Sequence, residues 1–334
     1  MSIQSHARRY AAVALAAIAV LVPLSSRAGV NGSVTANGFT FINFDPTSPS
    51  DVGSNANGIS NKGHVVVTGI TSTGTFTNFT GTPARTVALN LGPQAMALGI
   101  NSAGTVVGTQ NGAAFFMPAN GTPQPLLGPA GATSLFGIND LGNVVGQFTT
   151  PNGTSPGFLV RNKTKSAYIT IYQPSGPGIV NAQGINNFGL VVGFYVGTDG
   201  QDHGFIVKVG NAHNGSLTGQ AVADPVIPNV PGEPGATFVF SQILAVNDAG
   251  IAVGYYGDST TSQHGFIYDT NTGLYTFLDD PAKGFNNGVE VTQITGIANS
   301  GELSGFYSDA NGTFHSFTAC PKYAFCPNYP IDLP

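Results

Sequence analysis

The stretch Gly184-Ile185-Asn186-Asn187-Phe188-Gly189-Leu190-Val191-Val192-Gly193, followed by His203-Gly204-Phe205, decides the fold, because the chain returns to its pattern six times. The turn phrase recurs as Ile59-Ser60-Asn61-Lys62-Gly63, Ile100-Asn101-Ser102-Ala103-Gly104, Ile138-Asn139-Asp140-Leu141-Gly142, Val246-Asn247-Asp248-Ala249-Gly250 and Ile297-Ala298-Asn299-Ser300-Gly301. A short apolar run follows each turn, such as Val106-Val107-Gly108 or Val144-Val145-Gly146. A downstream Phe is the second landmark. It lies 20 residues after the Ile or Val in five copies (Phe79, Phe158, Phe205, Phe266, Phe317) and 16 after Ile100, at Phe116. The chain then runs 21 to 41 residues to the next copy. Fixed cores joined by variable connections mark a repeat architecture, since loops tolerate insertion and packed strands do not.

Turn chemistry explains the phrase. Asn and Asp bond the backbone two residues on, and Gly adopts positive φ without steric penalty. The phrase between two apolar runs therefore reads as a hairpin. One unit reads as four strands, for example residues 135–138, 143–148, 157–161 and 167–172, which is one propeller blade. The last copy supplies only three strands. An extra strand at 39–46 precedes the first copy and is similar to the fourth strand at 275–281. The expected fold is therefore all-β: a six-bladed β-propeller in which an N-terminal strand completes the last blade and removes the open sheet edges. Small residues in the early strands suit a crowded axis. An open β-solenoid is the alternative.

The phrase Gly-Ile-Asn-(Asn/Asp)-x-Gly-x-Val-Val-Gly with a following His-Gly-Phe resembles the HAF-repeat family of bacterial extracellular proteins. The best matches are 184–193 with His203-Gly204-Phe205, and 247–254 with His264-Gly265-Phe266. The resemblance covers roughly 38–318 and implies export and repetition, with no activity attached. The chain departs from the pattern at Thr77, Ala114 and Pro156, which replace the His, at Ser316, which replaces the Gly, and at Val67, where other copies have Gly.

Charged residues make up 8% of the chain, about a third of the ordinary share, and Gly contributes 46 of 334 residues, about twice the usual fraction. With abundant Val, Ile, Phe and Thr, this describes a turn-rich β protein. Residues 1–28 read as a secretory signal peptide: Arg8-Arg9, an uncharged apolar run over 10–24, and small residues before a cleavage point after Ala28. The run is short for a transmembrane anchor, and Arg8-Arg9 lacks the rest of a twin-arginine motif. The expected location is secreted, periplasmic or extracellular, with no membrane span after signal removal. Losing Arg8, Arg9 and Arg27 leaves eight Lys+Arg against sixteen Asp+Glu, a net of −8, which disfavours nucleic acid as a partner. The propeller is expected over 29–319, with a tail over 320–334. Cys320 and Cys326 enclose a short loop and are expected to form a disulfide.

Candidate chemistry is sparse. Asn61, Asp140, Asn187 and Asp248 read as turn residues capping their own backbone rather than as calcium ligands, because each turn offers at most one carboxylate. The loops before the Phe hold Asp199, Asp202 and His203, then Asp258 and His264, then Asp309 and His315. A propeller places these loops on one face. With Tyr195, Tyr255 and Tyr307, they form the candidate binding face. Two arrangements are open: a shared rim site where the His residues act as metal ligands or general bases, or a His in each blade bonded locally. The local arrangement is the expectation, so no catalytic residue, metal ligand or cofactor is assigned. Asp279-Asp280 is a poor acid/base couple, since neighbouring strand residues face opposite ways. The tyrosines, Tyr256 included, read mainly as packing between blades. The absence of Trp removes the largest sugar-stacking surface. The Pro-rich insertion at 211–236 reads as a contact loop or tolerated slack. The functional expectation is a monomeric, non-enzymatic binding or interaction scaffold for protein or glycan. The alternative is a propeller hydrolase or lyase using Asp and His of one face.

Overall fold

The computed structural model describes residues 29–46, 51–162, 166–210, 214–228 and 233–329. The expected signal peptide lies outside them. The described residues form six sheets, antiparallel apart from one added outer strand, and no helix. In chain order the innermost strands of blades 1 to 6 are Asp51–Ile59, Ala95–Ile100, Ala132–Ile138, Val180–Ile185, Phe238–Val246 and Thr292–Ile297. Each is joined to its second strand by the repeated turn, whose closing Gly (63, 104, 142, 189, 250 and 301) has φ between 73° and 84°. That is the left-handed region where a Cβ is strained.

The Val-Val pair of the repeat ties one blade to both neighbours. Successive strand residues face opposite sides. Val144 accordingly joins the apolar core between blades 2 and 3, and Val145 the core between blades 3 and 4. Val191 and Val192 divide in the same way between the cores on either side of blade 4. The described residues form six apolar cores, each made by two facing sheets.

The Phe landmark has an equally local cause. Phe158, Phe205, Phe266 and Phe317 stand opposite Gly146, Gly193, Gly254 and Gly305 of the second strand. The ring lies over the glycine. A Cβ on Gly193 would collide with both the Asn181 carbonyl and the Phe205 ring. In blade 1 Val67 takes the glycine's place opposite Phe79. In blade 2 the structure corrects the sequence reading: Phe115, not Phe116, faces Gly108, and Phe116 turns to the other side of the sheet, into the core shared with blade 3. The position equivalent to the His is thus Ala113 rather than Ala114.

The chain ends close the ring. Phe39–Asp45 pairs with Phe314–Pro321, setting Phe41 opposite Ala319 and Asn43 opposite Phe317. Phe41 packs against Phe317 with ring centres 5.6 Å apart, and Phe44 fills the core toward blade 1. Gly29–Ala36 adds a fifth, outer strand to this blade. The last strand runs through Cys320, which is bonded to Cys326. The following segment returns over the ring: Asn328 donates to Gly63 O and to Glu302, and the Tyr329 hydroxyl meets Thr318. The region read as an insertion is partly sheet. Gly215–Thr218 pairs in parallel with the outer strand of blade 3, and Gln220–Ala221 is the outer strand of blade 4. Its residues 211–213 and 229–232 lie outside the described set.

Phe41→Ala is expected to destabilise the protein by about 3–5 kcal/mol through the cavity left in the closing blade. Phe285→Ala, at an exposed site, should stay within about 0.5 kcal/mol. Urea denaturation of the two variants measures both.

Candidate functional site

The six innermost strands surround an axial channel with a cavity of ≈ 500 Å³. Each carries a β-bulge just before its small residue, as between Ala97 and Gly99 or Ala182 and Gly184. Bulges re-aim side chains. Here the extra residues Asn57, Leu98, Phe136, Gln183, Leu244 and Thr295 line the channel as one tier. The small residue beside each bulge lets neighbouring backbones meet at the axis. A Cβ on Gly99 would lie 2.6 Å from Phe136 O, and one on Gly184 2.8 Å from the Cα of Ala245. A second tier, at equivalent positions further along the strands, comprises Asn55, Met96, Ser134, Asn181, Gln242 and Gln293. Asn55 and Asn181 come from opposite blades. Both are buried, yet Asn55 Oδ1 and Asn181 Nδ2 have no hydrogen-bond partner in the protein.

One end of the channel is ringed by the turns. In blades 2 to 5 the first Asn of the phrase accepts from its own turn. Asn186 Oδ1, for example, takes the N–H groups of Phe188 and Leu190. Its Nδ2 donates to the next blade, as Asn101 does to Asn139 O and Asn186 to Asn247 O. The second turn residue bonds its neighbour. The N–H of Asp140 donates to Asn187 Oδ1, that of Asn187 to Asp248 Oδ1, that of Asp248 to Asn299 Oδ1 and that of Asn299 to Asn61 Oδ1. These side chains were expected to cap their own backbone. They cap the backbone of the adjacent blade instead, because the turns of six inclined sheets converge at the axis. Burial raises the Asp140 pKa, but bonds from Ser102, Asn61 and Asn187 outweigh it and hold the group below its ordinary value.

The loops between second and third strands lie at the opposite face. There His203, His264 and His315 sit on blades 4, 5 and 6, each with its own carboxylates. They do not converge on a common rim. The three sites repeat one plan. Each His faces a Tyr across the strand pair: Tyr195, Tyr256 and Tyr307, with ring centres 5.8, 5.1 and 5.4 Å away. Nδ1 meets an acid at the end of the fourth strand, Asp224, Asp279 or Asp45, at 2.8–2.9 Å. Nε2 meets acids on the other side: Asp199 at 3.1 Å, Glu233 at 3.1 Å with Asp258 at 3.8 Å, and Asp309 at 3.4 Å. Asp224, Glu233, Asp279 and Asp45 escaped the sequence reading of the site, since they lie 15 to 270 residues from their His in chain segments of variable length. The Asp-Pro pairs Asp45-Pro46 and Asp224-Pro225 were the available signal.

Asp202 lies apart from its neighbour His203. It accepts from Gln242 Nε2, and Gln242 Oε1 accepts from the Tyr255 hydroxyl, so this buried chain runs from blade 4 to the channel wall. Burial pushes the Asp202 carboxyl up to about 6. Tyr195 and Tyr307 stack beside their His residues away from the channel, whereas Tyr255 lines it.

No protein-family model matches the chain, and no curated protein matches it. Among solved structures it is similar to a mutant of the Aleuria aurantia lectin in complex with α-methyl-L-fucoside (10% identity, 86% of this chain and 100% of that one, TM-score 0.45). It is similar also to the β-propeller domain of the Trilobed protease from Pyrococcus furiosus (7% identity, 93% and 100%, TM-score 0.45) and to a Burkholderia pseudomallei lectin (13% identity, 90% and 95%, TM-score 0.42). No ligand or activity follows from likeness at this level.

The His sites set a pH dependence. Burial lowers the pKa of His315, but the bonds and charges of Asp45 and Asp309 more than offset it. The net shift is upward, as at His203, where Asp199 and Asp224 overcome burial. A raised His pKa contributes stability below the unfolded value of 6.5 and loses it as pH climbs through the folded value. Glu302, pushed up to about 7 by burial, adds to the same loss as pH rises from its unfolded value of 4.5. The melting temperature is therefore expected to be higher near about pH 5.5 than near about pH 8, with His315→Gln reducing the difference. Melts across that range check it. A wild-type temperature that rises with pH contradicts it.

Proposed function

We propose that the protein is an exported, non-enzymatic binding propeller of the HAF-repeat type, and that its ligand is a small uncharged polar molecule, saccharide-like in chemistry, held in the axial channel. The observation carrying this reading is the carboxamide lining of the channel: Asn55 and Asn181 line it from opposite blades, and each keeps one buried polar atom, Asn55 Oδ1 and Asn181 Nδ2, without a partner in the protein. Buried polar atoms are normally satisfied, so carboxamides left incompletely bonded in the channel wall favour a polar guest. The surrounding tiers alternate carboxamides with Leu98, Phe136 and Leu244, which suits polar edges and apolar faces together. The acids near the channel, Asp140 and Asp248, are already engaged in the turn ring, which favours a neutral guest. A cavity of ≈ 500 Å³ matches a mono- or disaccharide-sized molecule.

The hydrolase or lyase alternative draws no support from the His residues, because both ring nitrogens of each lie within reach of carboxylates of that blade or its adjoining segment. Export is supported by the Cys320–Cys326 disulfide, which an oxidising compartment maintains.

Isothermal titration against a panel of neutral mono- and oligosaccharides tests the reading. Asn181→Ala is expected to weaken binding by about 1–3 kcal/mol, roughly fivefold to 150-fold, with the fold retained. Saccharide binding that is unchanged in this variant, or no binding across the panel, contradicts it.

A further inference from the structure

In blade 5 two buried carboxylates approach Nε2 of the His. Asp258 comes from the blade's own loop, and Glu233 from the segment between blades 4 and 5. We propose that His264, Asp258 and Glu233 form a binding site for a divalent transition metal ion of the zinc type, which clamps that segment onto blade 5.

The ligand geometry is in place. His264 Nε2 lies 3.1 Å from Glu233 Oε2 and 3.8 Å from Asp258 Oδ2, and candidate ligand atoms of all three side chains fall within 4.8 Å of one another. Bonds of about 2.0–2.2 Å give polyhedron edges of about 3–3.6 Å; the Glu233 separation matches, and Asp258 Oδ2 reaches the ion by a small inward shift. The outer contacts aim these atoms. Asp279 takes the Nδ1 proton of His264 at 2.8 Å and leaves the Nε2 lone pair directed at the two acids. Asp258 Oδ1 is fixed by the Thr260 N–H, the Thr260 hydroxyl and the Ser262 N–H, which directs Oδ2 inward. The Thr260 hydroxyl also reaches Glu233 Oε1 at 3.3 Å.

Two further observations point to a cation. Asp258 Oδ2 has no hydrogen-bond partner although its side chain is 0% exposed. The hydroxyl of Tyr256, whose ring stacks on His264, is likewise buried and unpartnered. A proton on Nε2 serves only one oxygen, that of Glu233, and leaves Asp258 Oδ2 buried without a donor. A divalent ion meets all three ligand atoms together. On the Nδ1 side the need is already met, because the Lys283 ammonium bonds both Asp279 and Glu290. One nitrogen with carboxylate oxygens suits zinc or manganese; calcium requires six to eight oxygens. The equivalent sites lack this closure. The Asp309 side chain near Nε2 of His315 is 21% exposed, and Asp199 beside His203 is 54% exposed.

The test is titration of untagged, chelator-treated protein with zinc chloride, read by calorimetry and by melting temperature. Wild type is expected to bind one equivalent and to melt higher with zinc. Asp258→Asn keeps the Oδ1 acceptor of the turn and should lose about tenfold or more in affinity, together with the melting shift. Where that variant does not fold, Glu233→Gln carries the same expectation. His315→Gln should bind as wild type does. No stoichiometric zinc uptake by wild type, or equal uptake by wild type and the folded variant, overturns the proposal.

Discussion

The pairing of Phe39–Asp45 with Phe314–Pro321 is the contact on which the rest of the molecule depends. Six sheets that bury their faces only against one another have no stable outer face until the last meets the first. The closing strand supplies both sides of that junction: Phe41 points toward blade 5, and Phe44 fills the core shared with blade 1. It also supplies chemistry. Asp45 completes the His315 site, and Asn43 donates to Asp280, whose burial holds its carboxyl up at about 6. A strand remote in sequence is thus wired into the charge balance of the blade it completes.

Closure also brings the inner strands to the axis, and the repeat's small residues follow from that approach. Where Gly99 meets the Phe136 carbonyl and Gly184 meets Ala245, a larger side chain would force the blades apart. Bulges beside these glycines then present one side chain per blade to the channel. The turn ring at one end, the carboxamide tier further along and the His sites at the opposite face are consequences of one unit copied six times and varied at its edges. Function is read where the copies differ: Asn55 and Asn181 in the channel lining, and the two buried acids that blade 5 places near Nε2 of its His.

Much of the architecture was legible because it is local and repeated. The Ile-Asn-x-x-Gly turn, the Val-Val pair and the Phe opposite Gly are each set by backbone conformation or cross-strand contact within one blade. The likeness of 39–46 to a fourth strand was enough to predict closure. In the shortened second copy, Phe115 and Phe116 are adjacent aromatics that have no distinct register until the strand is paired. The channel residues were hidden by the bulges, which break the alternation that marks strand faces. The turn ring was hidden because Asp140 and Asn187 belong to blades 47 residues apart at their point of contact. The candidate face was identified through its His residues. Their partners were not, since Asp224 and Glu233 arrive from the Pro-rich segment that reads as loop and proves to be partly sheet.

Amide hydrogen exchange at the closing strand tests the ring most directly. Strands whose opening requires the whole sheet to separate exchange only through global unfolding. Residues Phe39–Asp45 should therefore exchange as slowly as Phe314–Pro321 and the inner strands of blades 1 and 6. Exchange of that strand at unfolded-chain rates, while blades 2 to 5 stay protected, would show that the ends do not seal the propeller.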